Sequence, residues 1–223
     1  MYASIFDYRR EFKVCHSILR KYQPKSVLEL GCGAGNMAKH FVEAGYDYTG
    51  LDISREMLAI AKRENPGLRF LAGNMSQFSL PRKFDAVVIW GRSFCYMTTN
   101  GQVQRALKGI HRALEPGGVL LFDNFEADGI FKDLSPMQEE VQIGTKRITR
   151  TSTRSPNLKT GWTWDWRADW VIEDGETKRK VRDFQVLRAF TWDELRLFLE
   201  LAGFTDVQFR RGAKTILTVA RVG

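Results

Sequence analysis

The chain has 223 residues, 43% hydrophobic and 27% charged, with 34 Lys and Arg against 26 Asp and Glu for a net charge of +8. That composition suits one soluble domain, or one domain with an insertion, and no run of about eighteen apolar residues predicts a membrane-crossing helix. The cationic balance excludes little, since it either attracts anionic partners such as nucleic acid and phosphorylated small molecules or is only a solvated face.

Tyr8, Arg9, Arg10 and Glu11 stand where the apolar core of an export signal would lie, so the cytoplasm is the expected location. Cys15, Cys32 and Cys95 match neither a zinc pattern nor a disulfide framework, and no metal is expected. The three histidines, His16, His40 and His111, all fall on helical segments and are expected to be structural.

The first 125 residues alternate strand and helix signals. Phe12, Cys15, Ile18, Leu19 and Tyr22 recur at helical spacing and predict a helix over 11–23, closed by Pro24. Residues 26–30 read as a short apolar strand ending at glycines. A helix is expected over 34–44, with Met37, Ala38, Phe41 and Val42 inward and Gly45 ending it. A second strand, 46–51, runs into Asp52, and Ser54 caps a helix that turns Met57, Leu58 and Ala61 inward. Strand three is 68–71. Strand four, 84–90, is continuously apolar, as in a strand covered on both faces. A helix over 103–114, a turn at Glu115-Pro116-Gly117-Gly118 and a fifth strand, 119–123, follow. Such alternation predicts an α/β fold, a doubly wound, seven-stranded, mostly parallel sheet.

After residue 126 the period changes to two. Trp162, Trp164, Trp166, Ala168, Trp170 and Ile172 share one side of a strand, and Glu173-Asp174-Gly175-Glu176 signals a hairpin. With flanking strands at 141–153 and 178–189, a small antiparallel sheet of about three strands is expected as an insertion after strand five. Residues 126–189 would form the insertion, a substrate cover or dimer surface, and 1–125 with 190–223 the main domain. The tryptophans would pack that sheet or line a substrate pocket. Thr191 and Glu194 form a capping-box pattern for the last helix. Residues 204–209 and 214–220 read as a final antiparallel pair.

Glu29-Leu30-Gly31-Cys32-Gly33-Ala34-Gly35 lies where a strand turns into a helix. Glycines there let a ligand approach backbone amides that a Cβ would screen, and Asp52, about twenty residues on, can accept from ribose hydroxyls. A dinucleotide site uses the same devices. Here Gly31 already ends the strand and Glu29 would sit near a pyrophosphate, which argues against NAD.

These segments, with Gly50-Leu51-Asp52-Ile53-Ser54, Gly73-Asn74-Met75, Phe84-Asp85-Ala86-Val87-Val88 and Leu114-Glu115-Pro116-Gly117-Gly118, resemble the class I S-adenosylmethionine-dependent methyltransferases, most strongly over 25–125. The resemblance implies that Gly31, Cys32, Gly33 and Gly35 contact the methionine part of S-adenosylmethionine and that Glu29 lies near its ammonium. Asp52 would hold the ribose, Ile53, Met57 and Met75 would flank adenine, and Trp90 would line the transfer centre. Asn74 stands where the family usually has Asp and would pair with the adenine amino group through its carbonyl oxygen.

More weakly, the chain is similar to the small-molecule N-methyltransferases of aminosugars and of glycine. Tyr8, Arg92 and Tyr96 are the expected substrate-side residues, with Tyr2 and Asn124 as further candidates. Arg92 would meet an anionic group on the acceptor. The expected activity is methyl transfer to nitrogen or oxygen of a small molecule, anionic or nucleotide-linked, by a monomer or homodimer. An RNA methyltransferase, favoured by the basic second half, and a non-catalytic S-adenosylmethionine-binding protein are the alternatives.

Overall fold

Short apolar segments bounded by glycine, proline and capping side chains set the framework of the computed structural model, which describes residues 7–212 and 214–223. Tyr2 lies outside them. In chain order the elements are α1 (Tyr8–Leu19), β1 (Ser26–Leu30), α2 (Ala38–Glu43), β2 (Asp47–Asp52), α3 (Arg55–Glu64), β3 (Arg69–Ala72) and β4 (Phe84–Ile89). A 3-10 turn (Ser93–Tyr96) precedes α4 (Asn100–Ala113), β5 (Leu114–Phe125) and α5 (Ala127–Phe131). Then come β6 (Met137–Ile143), β7 (Lys146–Pro156), β8 (Trp162–Asp174), β9 (Thr177–Ala189), α6 (Trp192–Leu201), β10 (Phe204–Arg211) and β11 (Thr215–Val222).

The main sheet has the order β10-β11-β5-β4-β1-β2-β3. Strands β1 to β5 are parallel, and β11 runs antiparallel to both β5 and β10. The order reverses between β1 and β4, so a crevice opens beyond their carboxyl ends. On one face, Phe12 of α1, Phe41 of α2 and Leu58 of α3 pack against Val27, Val88 and Leu121. On the other, Val103 and Leu107 of α4 and Leu195 and Leu199 of α6 pack against Leu28, Val87 and Phe122. The expected α/β sheet with an antiparallel insertion is the fold observed.

Several boundaries differ from the sequence expectation. α1 begins at Tyr8, where Asp7 accepts from the Arg10 N–H, and ends at Leu19. α2 starts four residues later than expected because residues 34–37 are still turning: Gly35 N–H donates to Cys32 O and Ala38 N–H to Gly35 O. Val42 and Met57 are on solvent-facing sides, 41% and 38% exposed. The Glu115-Pro116-Gly117-Gly118 turn is a protrusion within β5, where pairing with β4 skips from Leu114 to Val119.

The insertion has four strands, in the order β6-β7-β8-β9. The segment 141–153 is not one strand. It turns at Gly144, whose φ is +58°, and Ile143 pairs with Lys146. The alternation breaks at the turn, where Gly144-Thr145-Lys146-Arg147 separates Ile143 from Ile148. The tryptophan side does pack: Trp164 joins Leu187 and Ala189 against Ala127 and Ile130 of α5, and Trp170 lies with Ile148 and Ala168.

Thr191 accepts from the Glu194 N–H, but the reciprocal half of the capping box is missing. The Glu194 carboxylate instead pairs with Arg188, 1% exposed, which also donates to Asn100 Oδ1 at 2.8 Å. This guanidinium stacks on Phe190 and Phe198 and joins the inserted sheet to α4 and α6. Removing one partner of a buried pair strands the other charge. Arg188→Ala is therefore expected to cost about 3–5 kcal/mol, measured as a lower urea midpoint. A cost below about 1 kcal/mol would show that water already satisfies Glu194.

Candidate functional site

The loop after β1 is built from two kinds of glycine contact. Gly31 N–H and Cys32 N–H both donate to Leu51 O, at 2.7 and 3.2 Å, which folds the loop over the end of β2. A Cβ on Gly31 would lie 2.7 Å from Ser93 Cβ, and one on Gly35 would lie 3.0 Å from Phe70 and 3.1 Å from Ala61 Cβ. Those two glycines let protein pack on protein. At Gly33 the nearest atom would be Met57 Cε at 3.6 Å, an ordinary contact, so that residue presents open backbone.

Asp52 fixes the loop. Its Oδ2 accepts from Gly33 N–H and its Oδ1 from Ser54 N–H, both at 2.8 Å. Each oxygen keeps a further lone pair for a ligand hydroxyl. Ile53 beside it is 70% exposed, and Met57 projects from the same edge. Met75 is buried, with its Cε under Gly31. Asn74 departs from the expectation. Its Oδ1 already accepts from both the N–H and the hydroxyl of Ser76, at 2.9 Å. The turn that starts β3's exit uses that oxygen, so the amide NH2 is the group left for a ligand. Cys32 packs behind the loop toward Gly50 and Tyr48, and burial pushes its thiol far above the ordinary range. Its side chain is filler; only its backbone faces the loop.

Glu29, Trp90 and Asp123 line up on one sheet face. Glu29 is level with Val88, Val88 with Leu121, and Ile89 with Phe122. Trp90 donates its indole N–H to Glu11 Oε2 of α1 at 2.8 Å. Tyr8, on the first turn of α1, bonds the Asn36 side chain, and burial followed by the charges of Glu29 and Glu11 raises its hydroxyl pKa. Arg92 places its guanidinium 5.4 Å from the Phe125 ring. Tyr96 closes the 3-10 turn and is half exposed. Asn124 is buried on the opposite side, where its amide donates to Phe125 O.

Glu29 is buried and accepts from the Tyr48 hydroxyl at 2.5 Å. Desolvation is the main reason its pKa rises to about 7; the Tyr48 bond opposes the shift and Asp52 adds to it. Asp123 rises to about 6, again chiefly by desolvation, against the stabilising charge and N–H of Arg92. Sequence reasoning missed Asp123, Glu11 and Tyr48. Asp123 carried a usable signal, an acid directly after the apolar run 119–122 near the carboxyl edge of a parallel sheet. Glu11 and Tyr48 carried none, because their partners are 79 and 19 residues away.

A family profile described as a methyltransferase domain matches residues 27–118. The crystal structure of Streptomyces venezuelae DesVI superposes with a TM-score of 0.89 at 26% identity, covering 97% of this chain and 92% of that one. The fold and the domain are those of the class I S-adenosylmethionine-dependent methyltransferases. Among curated relatives, the dTDP-3-amino-3,6-dideoxy-alpha-D-glucopyranose N,N-dimethyltransferase of Streptomyces fradiae is 30% identical over 67% of this chain and 59% of its own length. The dTDP-4-amino-2,3,4,6-tetradeoxy-D-glucose N,N-dimethyltransferase of Saccharopolyspora spinosa is 26% identical over 81% of this chain and 72% of its own. The chain thus matches less than two thirds of the length of the Streptomyces fradiae relative. No helix among the described residues is long and apolar enough to cross a membrane.

A carboxyl group whose pKa is raised by folding stabilises the fold fully below its ordinary pKa and loses that contribution as pH rises through the folded value. For Glu29 the window runs from 4.5 to about 7. Without cofactor, Glu29→Gln should therefore gain stability relative to wild type between about pH 4.5 and pH 8, by up to about 3 kcal/mol. Urea unfolding at the two pH values reads this, and a difference that stays constant with pH would refute the assignment.

Proposed function

We propose that the chain transfers the methyl group of S-adenosylmethionine to an amine of a small acceptor, an aminosugar carried on a nucleotide. The observation that carries the cofactor half is Glu29: a buried carboxylate at the mouth of a glycine loop, bonded to one hydroxyl and destabilised as an anion. A ligand ammonium is the group that would stabilise its charged form. The open backbone of Gly33, the spare lone pairs of Asp52 and the exposed apolar edge of Ile53 and Met57 fit the remaining parts of the same molecule. The amine acceptor is supported by the N,N-dimethyltransferase activities of the relatives from Streptomyces fradiae and Saccharopolyspora spinosa.

When bound, S-adenosylmethionine supplies an electrophilic methyl group on a sulfonium. The residues of the chain position and desolvate. Glu29 holds the ammonium, and the backbone of residues 31–35 cradles the aminoacyl arm. Asp52 anchors the ribose while it anchors the loop. Ile53, Met57 and Met75 offer apolar faces to adenine, with the Asn74 amide at its edge. Trp90, tied to Glu11, brings α1 over the site and excludes water. Tyr8, Arg92 and Tyr96 face the acceptor, Arg92 offering charge to an anionic group. Residues 126–189 form the acceptor-side cover. Because the leaving sulfur is neutral, holding donor and amine in line supplies much of the rate.

Cofactor binding should ionise Glu29 and release protons. In calorimetry at about pH 6 in buffers of different ionisation enthalpy, wild type is expected to release up to one proton more than Glu29→Gln. The variant should bind more than about 10-fold more weakly, the cost of one charge-assisted contact. Transfer of labelled methyl groups to a panel of amines and nucleotide-linked aminosugars tests the activity. Cofactor binding without transfer to any of them rejects the acceptor assignment, and no binding at all rejects the enzyme.

A further inference from the structure

Three carboxylates meet at the same end of the sheet, and each has one oxygen in a hydrogen bond. Glu11 accepts from the Trp90 indole. Glu29 accepts from Tyr48. Asp123 lies near the carboxyl end of β5, partly buried, and its Oδ1 accepts from the Arg92 N–H at 2.8 Å. Its Oδ2 accepts no hydrogen bond from the described residues, and the residue as a whole is partly exposed. Arg92 reaches it from a left-handed backbone conformation, φ 63° and ψ 23°, which a residue with a side chain rarely adopts. Strain of that kind persists where the surroundings impose it and clusters at functional sites.

Register places Asp123 beside Trp90, one strand from β4 and two from β1, on the face that carries Glu29. It lies about 10 Å across the sheet from the Glu29 strand, with the Trp90 strand between them. The charged and titratable groups around it are Arg92 from the loop after β4, Glu11 and Cys15 from α1, and Cys95 from the 3-10 turn. The two cysteines are buried and their thiols are pushed upward, so they stay protonated.

We propose that Asp123 is the proton acceptor of the transfer, its Oδ2 taking a proton from the acceptor's ammonium group while the Arg92 N–H holds the other oxygen in place. This rests on the amine acceptor proposed above. The acceptor arrives as R–NH3+. One N–H bond breaks, its electron pair stays on nitrogen, and the proton passes to the Asp123 carboxylate. The nitrogen pair then forms the N–C bond to the methyl group as the S–C bond breaks and its pair leaves with sulfur. The carboxylic acid returns its proton to solvent. Burial raises Asp123 to about 6, which brings it closer to an amine as a base while leaving it ionised at neutral pH.

The test is the pH dependence of kcat/KM for the dTDP-linked 3-amino-3,6-dideoxyhexose, compared in wild type and Asp123→Asn. Asparagine keeps an oxygen for the Arg92 N–H, and calorimetry with S-adenosylhomocysteine checks that the variant still forms the site. Wild type should rise about tenfold per pH unit up to about 6, then stay level until the acceptor's own amine pKa. Asp123→Asn should be about 10²-fold slower at neutral pH. It should lack the level region and climb toward wild type as pH approaches the amine pKa, because only the already neutral amine reacts. A level region retained in the variant, or a wild type that climbs to the amine pKa, overturns the proposal. So does a variant that no longer binds the cofactor product, which would make Asp123 a structural residue. Wild type that binds cofactor but methylates no amine removes the acceptor assignment, and this step with it.

Discussion

The Asp52 carboxylate, bonded to the N–H groups of Gly33 and Ser54, is the interaction on which the carboxyl edge of the sheet depends. One oxygen holds the loop after β1 in place and the other holds the start of α3. Charge-assisted bonds of this kind are worth about 1.5–3 kcal/mol each. They fix backbone that would otherwise be free to close on itself, since the glycines have no side chains to prop it open. Ser54 then caps α3 by accepting from Met57 N–H, which sets the exposed apolar edge beside the loop. The loop, the helix start and the apolar edge are one arrangement with a single carboxylate at its centre.

A second constraint is electrostatic. Glu29 and Asp123 stand on the same face of the two strands that flank β4, both disfavoured as anions by desolvation. The fold tolerates this because Tyr48 and the Arg92 N–H each stabilise one oxygen. Polar groups placed before any ligand arrives need no reorganisation when one does. The covering helix contributes as well: Glu11 ties α1 to Trp90, and His16 meets the Tyr46 hydroxyl at 2.9 Å. His40 pairs with Glu43 and His111 packs edge-on against Phe204. His16 and His111 reach residues at the edges of the sheet, while His40 stays among the helices.

The parts of the fold legible in sequence were those dictated by short-range rules. Apolar runs at 26–30 and 84–90 became β1 and β4, and Ser54 and Gly45 marked helix ends through their own backbone geometry. The hairpin at Gly144 was missed although Gly144-Thr145-Lys146-Arg147 breaks the alternation between Ile143 and Ile148, because a lone glycine inside a strand pattern also fits a bulge. The delayed start of α2 had a signal in Gly35 and Asn36, both poor helix formers; Gly35 takes φ +71° and bonds Cys32 O, so the turn runs on to residue 37. At the site, the glycine loop and Asp52 could be read from spacing. Asn74 could not: its composition admits either amide face, and Ser76 decides which one is used. Asp123 depended on a strained residue 31 positions earlier in the chain, a relation no local pattern encodes.

The close approach of Gly31 to Ser93 has a consequence for how such a site diversifies. The glycine loop and the 3-10 turn touch without room for one methyl group between them. Any side chain at residue 31 would displace Ser93, and with it the backbone that carries Arg92 and Tyr96. The Ser93 hydroxyl is itself bonded to Trp90 O, so the displacement would run back into the end of β4. The two halves of the site are geared together at this point. A movement of the turn therefore cannot be absorbed at residue 31 and passes to the chain on either side of Ser93.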